Sequence, residues 1–176
     1  MRHMPSMRAY SYNSDYLPLN DELIAGAVAI LYFLAAVIAA FLSLRWIYRA
    51  NSNAHCLSAN MSMSPGWNVG WFFIPIATWW KPFEGVRETW NVTMNPDNPD
   101  SVECPAFMTQ WWAFWLLTSI LGTLSFRVQI HATTIGGAMA ADWLDIASSI
   151  TLVPATYFFL VVVRKLTAEQ YRLLER

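Results

Sequence analysis

The sequence predicts an all-α integral membrane bundle with three transmembrane helices and one broken or re-entrant segment, a full fourth span being the alternative for that segment. Three observations carry this. Hydrophobic residues make up 56 % of the 176 residues and charged residues only 13 %, about half the ~25 % charged share of a soluble domain. The charges are bunched and leave three charge-free runs, at 23–44, 106–126 and 146–163. Between the first two runs lies Pro65–Trp90, PGWNVGWFFIPIATWWKPFEGVRETW, which holds half of the tryptophans and begins apolar and ends charged.

Residues 1–22 are polar and read as an N-terminal arm, with Tyr10, Tyr12, Tyr16 and Leu17 suited to a bilayer interface. No basic start followed closely by an apolar core is present, so the first apolar run is expected to direct insertion. The transmembrane domain is read as 23–165 and a C-terminal amphipathic tail as 166–176.

Leu23–Leu44 is long enough for about 33 Å of helix, more than the ~30 Å hydrocarbon core. Its alanine pairs Ala25/Ala29 and Ala36/Ala40 permit close helix approach. The helix is expected to run on through LRWIYRANSNA, where Arg45, Arg49 and Asn53 recur every four residues on one face. Arginines directly after a span mark a cytoplasmic edge.

The apolar run Gly66–Trp80 measures about 22 Å as helix, too short to cross. Asn68, Pro75 and Thr78 interrupt it, and Pro75 lacks an amide proton and breaks any helix there. Irregular backbone at membrane depth is tolerated only when buried in protein or lining a wet cavity. Lys81-Pro82 then opens a surface helix, FEGVRETW, with Glu84, Arg87 and Glu88 at helical spacing. In the re-entrant arrangement Arg45 and Arg49 share a membrane side with Glu84 and Glu88, so arginine–carboxylate pairs between the two elements are expected.

Asn91–Pro105 reads as a loop rich in proline and turn formers. Ala106–Phe126 is the second clear span, anchored at one end by Trp111, Trp112 and Trp115 and ended by Arg127. Val128–Ala141, with Gly136-Gly137, reads as a linker. Asp142 and Asp145 are placed at the N-terminus of the third span, where free amides favour anions; that span runs to about residue 164, and Pro154 is a candidate kink.

Several functions are disfavoured. A formal net charge of −1 leaves no basic excess for nucleic acid. Cys56 and Cys104 lie far apart and form no CxxC. His3, His55 and His131 are scattered, and no HExxH, GxSxG, P-loop or strand-linked GxGxxG occurs. No catalytic residue, metal or cofactor is therefore expected.

The runs FLSLRWIYRANSNA, SPGWNVGWFFIPIATWWKPFEGVRETW, QWWAFW and VVVRKLTAEQ resemble a group of bacterial membrane proteins filed as domain of unknown function 4328. The resemblance covers most of 41–170 and rests on the set spacing of Trp, Gly and Pro in the middle block. Thr78 stands where that family is expected to have asparagine, and residues 1–22 are polar where many members carry an additional span. The resemblance implies a bacterial inner-membrane helical protein and no particular activity.

The functional expectation is a non-catalytic accessory or scaffold subunit, with the bilayer and other membrane subunits or a second copy as partners. Trp67, Trp71, Trp79 and Trp80 are the candidate contacts and Pro75 the structural break. The alternative is a small-solute or ion conduit built on the broken helix at 66–80. Basic residues divide eight to three whether 66–80 is re-entrant or spanning, and both arrangements put the C-terminus in the cytoplasm. The short, proline-broken run favours three spans, a re-entrant segment and an external N-terminus.

Overall fold

The computed structural model describes residues 18–58 and 61–175. The interfacial tyrosines expected in the N-terminal arm, and His3, lie outside them. The chain divides into two compact units, Met1–Ser43 and Leu44–Arg176. All described residues of the first unit belong to helix α1, which runs Pro18–Leu57 and continues into the second. The remaining elements are α2 (Pro65–Gly70), two 3-10 turns (Trp71–Phe73 and Ala77–Trp79), α3 (Lys81–Met94), a 3-10 turn (Pro99–Ser101), α4 (Ala106–His131) and α5 (Ile135–Leu174). No strand occurs among the described residues. Asp21–Leu57, Ala106–His131 and Ile135–Leu173 are long and apolar enough to cross a membrane. The all-α fold with three spans is therefore as the sequence predicts.

The segment before α3 is broken as expected. Ser64 caps α2, its Oγ accepting from the Trp67 N–H at 3.5 Å, and Pro65 fills the first turn, where a missing amide proton costs nothing. Past Gly70 the chain tightens into 3-10 geometry, opens at Ile74–Pro75, and makes a second 3-10 turn before α3. Both ends of this excursion lie beside α3. Glu88 accepts from the backbone N–H groups of Ser62 and Met63, while Trp80 leads straight into Lys81. Between those ends Phe72 packs edge-on against Trp115, and the Trp79 carbonyl accepts from Trp112 Nε1 at 3.2 Å. Within the second unit the broken segment thus leaves and returns beside α3.

α3 extends one turn beyond the surface helix read from sequence, so Asn91–Met94 is helical rather than loop. Val92 and Thr93 are buried there, and Thr93 Oγ1 bonds back to the Thr89 carbonyl at 2.8 Å; this burial overrides the turn-forming composition.

The linker expected at 128–141 is absent. α4 continues to His131, three residues turn the chain, and α5 begins at Ile135. Thr134 is the cap, accepting from the Gly137 N–H at 3.2 Å. Gly136 and Gly137 occupy the first helical turn, where the ~1 kcal/mol helix penalty of each glycine is offset by a cap of similar size and by packing. Asp142 and Asp145 consequently sit two to three turns inside α5, exposed, and not at its N-terminus. α5 also runs unbroken through Pro154 and through the C-terminal stretch read as a separate tail.

α4 and α5 pair antiparallel through small polar residues. Thr118 and Thr151 hydroxyls bond at 2.9 Å, Ser148 Oγ donates to the Thr118 carbonyl at 3.1 Å, and Ser125 Oγ donates to the Ala141 carbonyl at 2.9 Å. Such contacts hold helices together where lipid removes the hydrophobic drive. The core lies at one end of this hairpin and joins Ile47 and Ala50 of α1, Val86 and Trp90 of α3, Met108, Trp111 and Trp112 of α4, and Val162 and Leu166 of α5.

Candidate functional site

The most polar part of the interior is a knot of neutral side chains where the end of α1, α2, α3 and α5 meet. Gly85, Thr89 and Thr93 recur every four residues and line one face of α3. Thr89 Oγ1 donates to the Gly85 carbonyl at 2.8 Å, and this same oxygen accepts from Asn51 Nδ2 at 2.9 Å. Gln170 on α5 donates through Nε2 to the Ala50 carbonyl at 2.8 Å and to Thr93 Oγ1 at 3.3 Å. Its Oε1 accepts from Asn53 Nδ2 at 3.1 Å. Asn51, Asn68 and Thr93 are fully buried, and Thr89 and Gln170 nearly so. A buried neutral hydrogen bond is worth only ~0.5–1.5 kcal/mol net, while an unmade one costs ~1–3 kcal/mol. The knot therefore penalises wrong packing more than it rewards right packing.

Asn68 is its exception. It is fully buried on the six-residue helix α2, and neither atom of its amide has a partner. It lies against Gly85 so closely that a methyl group there would come within 2.1 Å of Asn68 Oδ1. Trp46, Ile47, Ala50, Val86, Thr89 and Leu166 enclose the adjoining gap. Asn51 Oδ1 is likewise unpartnered.

The residues singled out from sequence are placed differently. Lys81 pairs with Glu84 at 2.7 Å, a contact one helical turn apart. Glu88 is taken by the backbone amides of Ser62 and Met63. Arg45 and Arg49 are exposed, and among the described residues neither pairs with a carboxylate, so the expected arginine–carboxylate ties between α1 and α3 are not formed. Both carboxylates have nearer partners on their own side of α3. Arg87 is exposed and lines a polar groove with Lys81, Glu84, Glu88, Asp97 and Asp100. Trp67 and Trp71 pack as a tilted ring pair at 4.9 Å, and Trp67, Trp79 and Trp80 remain about half exposed, in the same segment as an exposed Pro75. His55 Nε2 donates to the Met63 carbonyl at 3.1 Å, at the α3 end of the bundle, whereas His131 lies at the turn between α4 and α5. Among the described residues no group of His, Cys, Asp and Glu is arranged to hold a metal ion.

Sequence reading missed Asn51, Thr89, Thr93 and Gln170. The legible signal was the four-residue repeat of Gly85, Thr89 and Thr93, which marks the inner face of a helix otherwise read as surface. Gln170 offers none, since its stretch has the composition of an exposed tail.

No curated protein and no solved structure matches the chain. One family model does, that of a domain of unknown function (DUF4328), over residues 14–168. The matched stretch includes the re-entrant segment, the aromatic end of α4 and every residue of the polar knot except Gln170. Spanning the fold so nearly end to end, the match identifies the chain as a member of the DUF4328 family.

Proposed function

We propose that this membrane protein is a non-catalytic accessory or scaffold subunit that packs against other membrane proteins. Its setting is the bacterial cytoplasmic membrane, with the C-terminus in the cytoplasm. One observation carries the reading. The irregular turn of the re-entrant segment is uncovered: Phe73 is 72 % exposed and Ile76 is 74 % exposed, with Trp79 and Trp80 beside them. Non-helical backbone at membrane depth needs protein or a wet cavity around it, and exposed tryptophans are the residues most often found at the centre of interfaces. A membrane helix from another subunit, or from a second copy, supplies both. Thr89, Thr93 and Gln170 support the same reading, because their side chains are committed to neighbours within the knot rather than held open for a cargo.

The conduit reading draws on a different observation, a groove of about 570 Å³ between the re-entrant turn and α4, lined by Pro75, Thr78, Trp115, Ser119 and Thr123 among others. A photo-crosslinking residue placed at Ile76 in native membranes separates the two. Capture of a discrete membrane protein, lost on solubilisation in harsh detergent, is the expected result. Adducts to lipid alone, with monomer recovered under mild detergent, overturn the subunit reading.

A further inference from the structure

The C-terminal ends of α1 and α5 lie side by side and run in the same direction. Trp46 Nε1 donates to Thr167 Oγ1 at 3.1 Å, and three residues further along α5 Gln170 meets Ala50 and Asn53. Between the helices is a groove of about 340 Å³, walled by Trp46, Arg49, Asn53, Thr167, Gln170 and Tyr171. Arg45 precedes Arg49 by one turn and shares its face of α1, and Arg164 shares the Thr167 and Tyr171 face of α5 by its three- and seven-residue spacing. Arg49 thus walls the groove, and Arg45 and Arg164 lie about one turn towards the apolar runs on the helix faces that border it.

Their depth is fixed by the sequence. Arg45 is the first charge after the apolar run ending at Leu44, and Arg164 the first after the run ending at Val163. Both emerge where a bilayer's headgroups begin, with Trp46 and Tyr171 as the aromatic residues of that boundary. Among the described residues no acid pairs with them: the ion pairs are Lys81–Glu84 and Arg172–Glu169, and Glu169, the carboxylate nearest in sequence, is held by Arg172 in the second of these. Planar guanidinium groups on neighbouring helix faces, without a carboxylate partner, are suited to phosphate.

We propose that the groove between α1 and α5 binds the phosphate headgroup of an anionic phospholipid from the adjoining leaflet, through Arg45, Arg49 and Arg164. The acyl chains extend from there into the leaflet, along the apolar part of α5. Basic pockets between transmembrane helices are a recurrent way of holding such headgroups. The inference is independent of any protein partner, since the groove shares no residue with the one beside the re-entrant turn.

The test is thermal unfolding of the full-length protein in neutral detergent, titrated with phosphatidylglycerol, with phosphatidylcholine, or with inorganic phosphate. Phosphatidylglycerol is expected to raise Tm saturably, and the other two to leave it unchanged. Arg49→Gln, a single exposed substitution, is expected to weaken phosphatidylglycerol about fivefold, and Arg45→Gln/Arg49→Gln/Arg164→Gln to abolish the shift. Arg172→Gln, whose partner is Glu169, should leave the titration as in the wild type. Equal effects of the two lipids, an unchanged titration in Arg49→Gln, or an equal loss in Arg172→Gln would each overturn the proposal. A Tm rise with inorganic phosphate alone would replace the lipid with a soluble anion and overturn it likewise.

Discussion

Gly85 shows how one missing side chain decides a contact. A Cβ at that position would stand 2.1 Å from Asn68 Oδ1 and 2.5 Å from Met63 Sδ. Asn68 is enclosed and cannot swing away, so the re-entrant segment itself would have to move. Gly85→Ala is therefore expected to destabilise by ~1–3 kcal/mol, the usual cost of overpacking a tight site, read as a lower Tm in detergent. Gly66, in the same region, has open space around its Cα, and Gly66→Ala should be neutral or stabilising by up to ~1 kcal/mol, since alanine is the better helix former. Equal Tm values for the two variants would refute the assigned contact. The repeat with Thr89 and Thr93 sets Gly85 on an inner face, but nothing in the sequence shows which side chain it meets. Asn68 reads there only as an interruption of an apolar run, and the closeness of its partner exists only once α2 lies on α3.

Elements were legible from sequence in proportion to how locally they are determined. The three long helices follow from charge-free runs, and the break before α3 from Pro75, whose ring removes a donor wherever it stands. The turn between α4 and α5 was not legible. Gly136-Gly137 is a loop signature by composition, and only the pairing of Ser125 with Ala141 and Thr118 with Thr151 draws the helices together over three residues. That tight turn rests on Thr134. Thr134→Ala removes the side chain that accepts from the Gly137 N–H and should cost ~1 kcal/mol, with hydrogen exchange rising first at residues 135–138. Uniform exchange along α5 in the variant would show that the cap is dispensable. The arginine–carboxylate ties failed for a related reason: spacing puts charges on faces, but nearer amides and a lysine one turn away reach the carboxylates first.

For the molecule as a whole, the re-entrant path has a consequence for its two thiols. Cys56 lies at the end of α1 and Cys104 precedes α4, and the proposed re-entrant path with a cytoplasmic C-terminus puts both on the cytoplasmic side. Single-cysteine variants, Cys56→Ser and Cys104→Ser, should therefore behave alike towards a membrane-impermeant maleimide, unlabelled in intact cells and labelled in inverted vesicles. Labelling of one thiol but not the other from outside would mean that 66–80 crosses fully. The same path also sets an order in time. Phe72, Trp79 and Phe83 take their partners from Trp112 and Trp115, residues synthesised about thirty to forty positions later. At ~5–20 residues per second, the nascent chain spends seconds with its most aromatic stretch already made and its docking surface not yet in existence. The proline-broken run, too short to be retained by the bilayer on its own length, is held only when α4 arrives to receive it.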